Sequence, residues 1–140
     1  MVKRYKTKTK TLPGTNYSEI YDKAFGVYRE IQRKTKRRPY VRSAYFKKEK
    51  VFLELYWRHL HQKNWRDRTR RLKYFSCALE LIKNSRVDPE SKDHPEDASQ
   101  ILHRFTGVTP DGDVFRIQIK EDKRTRQKWL MSSFPVDVDN

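Results

Sequence analysis

Cysteine is nearly absent from this chain of 140 residues, which has one, Cys77. A single thiol makes no internal disulfide, so the chain reads as one that folds in a reducing cytoplasm on its core alone. Cys77 lies in the apolar run from Tyr74 to Leu79 and reads as a buried helix residue, not a nucleophile. Glycine is also scarce, at four residues, and none of them builds a phosphate-cradling loop. With one cysteine and four scattered histidines, no zinc spacing is present, and neither a metal nor a cofactor is expected. His59 and His61 would stand about 200° apart around a helix, a poor bidentate pair. Asp111-Gly112-Asp113 lacks the remaining ligands of a calcium loop and reads as a hairpin turn. No Gly-x-Ser-x-Gly elbow, Ser/His/Asp set or internal repeat is visible. No apolar run is long enough to cross a membrane, and no hydrophobic segment follows the basic start, so no membrane partner is expected.

Acidic residues are in deficit too, and the net charge of +15 points to a polyanionic partner. Residues 1–50 carry 16 Lys and Arg against 4 acids, a net +12, whereas residues 51–140 carry 17 against 14, a net +3. Eight tyrosines, seven phenylalanines and three tryptophans argue for a packed core rather than disorder.

In chain order, residues 1–14 read as a basic flexible arm and 15–136 as a single domain, with 137–140 a tail. Tyr17, Ile20, Tyr21, Ala24, Phe25, Tyr28 and Ile31 draw one stripe of a helix over about 17–35, capped by Thr15 or Asn16 and stopped before Pro39. Tyr40–Phe46 reads as a short edge segment. A second helix is expected at about 48–62 on Phe52, Leu55, Tyr56 and His59. A third is expected at about 67–84 on Leu72, Phe75, Leu79 and Ile82, with Asp67 as its cap. The proline-bearing stretch 86–99 reads as a loop.

The last third alternates. Phe115, Ile117 and Ile119 interleave with Arg116, Gln118 and Lys120, and Pro110-Asp111-Gly112 is a turn in which proline presets φ and glycine supplies positive φ. Strands are expected at 101–108, 114–120 and 128–134 within a sheet of about 100–136. Helices first and a meander last is the order of an α+β fold, with N-terminal helices packed on a small antiparallel sheet. Cutting RNA without metal needs a group to take the 2′-hydroxyl proton, fixed cations for the phosphorane, and a proton for the leaving oxygen. His103, Arg104, Arg116, Lys120, Ser132 and Ser133 offer such groups. Period-two alternation sets Arg104 with Arg116 and Lys120, and puts His103 on the other face unless a bulge intervenes. His94 in the loop is a fallback, and Glu121 is the nearby carboxylate.

The segment from Asp67 to Pro135 resembles the barnase/EndoU/colicin/RelE nuclease superfamily, in its phage-associated and RelE-type toxin branches. The resemblance rests on His103 near the first core strand, the Gly112–Ile119 strand, and Ser132-Ser133-Phe134-Pro135 at the last, and it covers about half the chain. It implies helices on a curved antiparallel sheet with a cationic active site on the open face. It also implies His103 and Arg104 near the phosphate, Lys120 as electrostatic stabiliser, and Ser132 or Ser133 as a hydroxyl contact. RelE-type toxins often rely on Lys and Arg rather than His.

The leading expectation is therefore a metal-independent endoribonuclease of the toxin type, acting on RNA alone or on the ribosome, with an acidic antitoxin or immunity protein as partner. The alternative is a non-catalytic RNA- or DNA-binding protein that uses the basic arm and the Arg66, Arg68, Arg70, Arg71 and Lys73 cluster. Arg116, Arg124, Arg126 and Lys128 are expected to add phosphate contacts in either case. A structural protein whose charge only keeps it dissolved is a third reading.

Overall fold

The computed structural model describes residues 3–136; Met1, Val2 and the expected tail 137–140 lie outside the described residues. Eleven elements are present among them: β1 (Tyr5–Lys6), α1 (Tyr17–Lys34), β2 (Tyr40–Arg42), β3 (Lys50–Phe52), α2 (Glu54–His61), α3 (Trp65–Leu72), α4 (Phe75–Asn84), β4 (Glu90–His94), β5 (Asp97–Val108), β6 (Val114–Asp122) and β7 (Lys128–Pro135). The fold is α+β. Seven strands form one sheet in the order β1-β5-β6-β7-β3-β2, with β4 also paired to β5. The antiparallel run β5–β6–β7 is its centre.

Alternation in that centre does what hydrophobic patterning dictates. Phe105, Phe115, Ile117, Ile119 and Leu130 join one core with helix residues Ile20, Tyr28, Tyr56, Phe75 and Leu81. Leu102 and Phe134 are buried but stand outside that core, because they project from the opposite face, called here the far face. Gly107 is required where it is: a Cβ there would sit 2.5 Å from the Phe115 ring. The hairpin turn closes at Gly112, with φ at +89°. Asn16 caps α1 through the Glu19 amide.

Four expected boundaries change. The supposed mobile arm carries β1, parallel to β5. Glu80 on α4 holds this segment, accepting from the Tyr5 hydroxyl (2.9 Å) and from the amides of Lys8 (2.9 Å) and Thr9 (2.7 Å). The helix expected from residue 48 begins only at Glu54, because Val51 and Phe52 pair in parallel with Lys128 and Trp129 of β7. The helix expected over 67–84 is two helices, since the carbonyls that would continue it are taken elsewhere: Leu12 donates to Lys73 and Ser133 to Arg71. Its cap is Asn64, not Asp67. The expected loop 86–99 contains β4, a wholly polar strand opposite Ile101–Arg104.

One irregularity decides which side chains face where. Gln118 pairs with Ser132, but Ile119 pairs with Leu130, so Met131 is an extra residue in β7. Such a bulge reverses the parity of the strand on either side of it. Lys128 and Leu130 therefore face the helices, while Trp129, Ser132 and Phe134 occupy the far face.

Candidate nucleic-acid interface

Directly paired residues share a sheet face, so the pairings sort the expected site residues. On the far face, Arg104 stands opposite Gln118, which stands opposite Ser132; Thr106 opposite Arg116 and Lys120 opposite Leu102 complete the group. On the helix-side face stand His103 opposite Ile119, Ser133 opposite Ile117, and Lys128 opposite Glu121. The expected constellation is thus divided between two faces.

The helix-side members are engaged in structure. The His103 Nε2 proton is donated to Glu121 at 2.7 Å, and its Nδ1 lies 2.7 Å from Ser91 Oγ. Its ring meets Phe46 edge-on at 5.0 Å. Lys128, expected to touch phosphate, is buried: Nζ donates to Glu49 at 2.9 Å and to the Arg126 carbonyl at 3.0 Å, and lies 3.7 Å from Glu121. Ser133 is fully buried, 2.9 Å from the Tyr56 hydroxyl and donating to the Arg71 carbonyl at 3.0 Å. Burial pushes the Tyr56 phenol well above its ordinary value, which keeps it a donor. Burial also lifts the Cys77 thiol to about 11, consistent with an inert core residue.

The far face is different. Ser132 and Thr106 are 2% and 5% exposed, yet Ser132 Oγ, Thr106 Oγ1 and the buried Nε of Arg116 make no hydrogen bond among the described residues. Three such atoms on neighbouring strands are unusual, since buried polar groups are normally paired. Arg104 and Gln118 line a pocket of about 240 Å³ with Leu102, Glu90, Ser91 and Lys92. Glu90 stands opposite Arg104 on β4, so a carboxylate and a second cation join the face from a strand the sequence hid. Hydropathy could not have found them, because every residue of β4 is polar. Only the alternation of Glu90 and Lys92 with Ser91 and Asp93 hints at a strand.

The Arg66–Lys73 cluster does not act as one surface. Arg68 donates to the carbonyls of His61 (2.6 Å) and Lys63 (2.8 Å), satisfying the end of α2, and lies over the Trp65 ring. Arg71 is 1% exposed, 3.2 Å from Asp67 and over the Phe134 ring. Arg66 is exposed, while Arg70 and Lys73 line a separate cavity of about 550 Å³ with Tyr74, Asp113 and Pro135. Arg124 and Arg126 are exposed on the β6–β7 turn. No group of three or more potential metal ligands occurs among the described residues, and no helix there is long and apolar enough to cross a membrane.

No family profile, curated protein or solved structure matches the chain.

Proposed function

We propose that the protein is a metal-independent endoribonuclease of the toxin type whose active surface is the far face. The observation that carries this reading is the set of buried, unbonded polar atoms of Thr106, Arg116 and Ser132 beside the cations Arg104 and Lys120. A phosphodiester has several acceptor oxygens and a negative charge, which such a set can answer. In this reading Glu90 takes the 2′-hydroxyl proton as the 2′-oxygen attacks phosphorus. Arg104, Arg116 and Lys120 stabilise the phosphorane, and Lys92 protonates the departing 5′-oxygen. The products are a 2′,3′-cyclic phosphate and a 5′-hydroxyl end. His103 and Ser133 have no part in this chemistry.

The β5–β6–β7 meander then corresponds to a RelE/barnase-like core, extended by β1 and the β2–β3 hairpin. Cytoplasmic RNA as substrate, alone or on the ribosome, and an acidic antitoxin or immunity protein covering the far face belong to the same proposal.

A non-catalytic RNA-binding reading is favoured by one observation: His103, the residue type best suited to proton transfer near neutral pH, is on the other face. Incubating labelled RNA with purified protein in EDTA decides between them, beside an Arg104→Ala/Lys120→Ala variant checked for folding by circular dichroism. Cleavage that the variant loses supports the nuclease. Salt-sensitive binding without cleavage, repeated with ribosomes present, overturns it in favour of a binding module.

A further inference from the structure

Strand pairing lays one residue from each of five neighbouring strands in a row across the far face. Leu102 on β5 stands opposite Lys120 on β6, and Lys120 opposite Trp129 on β7. Trp129 in turn stands opposite Phe52 on β3, and Phe52 opposite Tyr40 on β2. The last three are aromatic and sit on adjacent strands, which are spaced about 4.8 Å apart. Each ring carries a cation. Lys120 Nζ lies 5.5 Å from the Trp129 centroid and the Arg38 guanidinium 4.0 Å from that of Phe52. Lys50 and Arg42 lie 4.7 and 5.4 Å from that of Tyr40.

Leu102 closes one end of the row as a buried residue, but the aromatic end does not behave as core. All three rings are only partly buried, and none belongs to the packed cluster on the other face. Tyr40 and Phe52 border a cleft of about 440 Å³ whose lining also includes five cations between Lys34 and Lys50. Residues 33–50 hold nine Lys and Arg against one acid, a net +8. That acid, Glu49, is taken up by Lys128 on the helix side, and of the nine cations Arg33 pairs with Glu30 and Arg38 with Glu54. In the connection from β2 to β3, Lys47 and Lys48 adopt φ of 55° and 70°. This left-handed region suits glycine or asparagine, so holding two exposed lysines there costs backbone stability.

We infer that this row is a track for single-stranded RNA: bases stack on Tyr40, Phe52 and Trp129, and the sugar–phosphate chain follows the flanking cations toward Arg104, Gln118 and Ser132. Ring faces accept any base whose own faces are free, as in a single strand but not in a duplex. An acidic protein would use the cations but gain nothing from rings set one per strand. The track deepens the proposed function and rests on the far face being its RNA-binding side.

The test measures binding, not cleavage. A labelled 12-nucleotide single strand and the same sequence as a duplex are titrated by anisotropy against the full chain and Tyr40→Leu/Phe52→Leu, which keeps apolar bulk on the hairpin. Thermal melting confirms that the variant folds. A second variant, Lys36→Gln/Arg37→Gln, needs no ring change and serves if the first is unstable. The ring variant is expected to weaken single-strand binding roughly tenfold or more, since stacking contributes strongly per base, and to leave duplex binding within twofold. The cation variant is expected to reduce the salt slope by about 1.4, at about 0.7 per phosphate contact. Unchanged single-strand affinity and slope in folded variants overturns the track. So does a loss confined to binding of poly-glutamate, which would assign the surface to an acidic protein. If wild type binds through the track but does not cleave, the nuclease fails and the track stands; if it cleaves while both variants bind as wild type, the reverse holds.

Discussion

The two faces of the sheet carry similar side chains in opposite circumstances. On the helix side, Ser133, His103 and Lys128 are buried and each is answered: Ser133 by Tyr56 and the Arg71 carbonyl, His103 by Glu121 and Ser91, Lys128 by Glu49 and the Arg126 carbonyl. On the far face, Ser132 and Thr106 are buried to a similar degree, yet their hydroxyls make no bond among the described residues. Ser132 and Ser133 are chain neighbours, so composition cannot account for the contrast. An unpaired buried hydroxyl carries its desolvation cost uncompensated, which is what sets Ser132 and Thr106 apart from Ser133.

The largest effect is expected at Lys128. Lys128→Ala removes a buried cation from between Glu49 and Glu121 and should destabilise the protein by about 3 kcal/mol in urea unfolding, the low end for breaking a buried pair because Glu49 is half exposed. A loss under about 1 kcal/mol would mean that the helix-side cluster is not structural.

The adjacent serines sharpen the contrast. Ser133→Ala removes one donor from the Arg71 carbonyl, which keeps the Tyr74 amide, and leaves the Tyr56 hydroxyl only its 3.4 Å bond to that carbonyl, and should cost about 1 kcal/mol. Ser132→Ala deletes a hydroxyl that bonds nothing and should change stability by less than about 0.5 kcal/mol while weakening RNA binding. Equal costs for the two would dissolve the distinction between the faces.

A third test concerns the docking of β1 beside the helix-side face. Burial alone would raise the Glu80 carboxyl. Hydrogen bonds from the Thr9 side chain, the Lys8 and Thr9 amides and the Tyr5 hydroxyl outweigh it and hold the group below its ordinary 4.5. A depressed acid stabilises above its unfolded value and loses that contribution as pH falls through its lower folded value. Amide exchange at Lys8 and Thr9, corrected for intrinsic rates, should therefore show protection that is full above about pH 5 and fades below 4.5. Glu80→Gln should remove that pH dependence; protection that ignores both acid and the substitution would sever Glu80 from β1.

The smallest effect is expected at the β2–β3 connection. Lys48→Gly should relieve a left-handed lysine and raise stability by about 0.5–1 kcal/mol in thermal melting. A decrease would show that the lysine side chain contributes more to the fold than its backbone costs.

Much of the central sheet was legible in the sequence. The alternation of Phe115, Ile117 and Ile119 with Arg116, Gln118 and Lys120 places the second group on the far face, and period two separates Arg104 from His103. Pro110-Asp111-Gly112 marks its turn, and the aromatic stripe of α1 marks its buried side. Three strands escaped for different reasons. β1 is two residues long, β4 has no apolar residue to alternate, and β3 lies where Phe52, Leu55 and Tyr56 also satisfy a helical stripe. Lys128, expected to touch phosphate, turns to the helix side because the Met131 bulge reverses parity, and nothing in Lys-Trp-Leu-Met-Ser-Ser announces an extra residue. Glu90 was missed as a consequence of β4.

The local periods, the turn and the α+β class follow from the chain alone, because they rest on residue types and their near neighbours, whereas the order of helices first and strands last does not hold, since β1, β2 and β3 come before α2. It took the tertiary structure to set Phe52 against Trp129 and Glu90 against Arg104, and to give the far face to Ser132 rather than Ser133. Those outcomes turn on which sheet edge accepts a distant strand and on where one residue bulges out of register. Both are settled by hydrogen bonding between segments far apart in the chain.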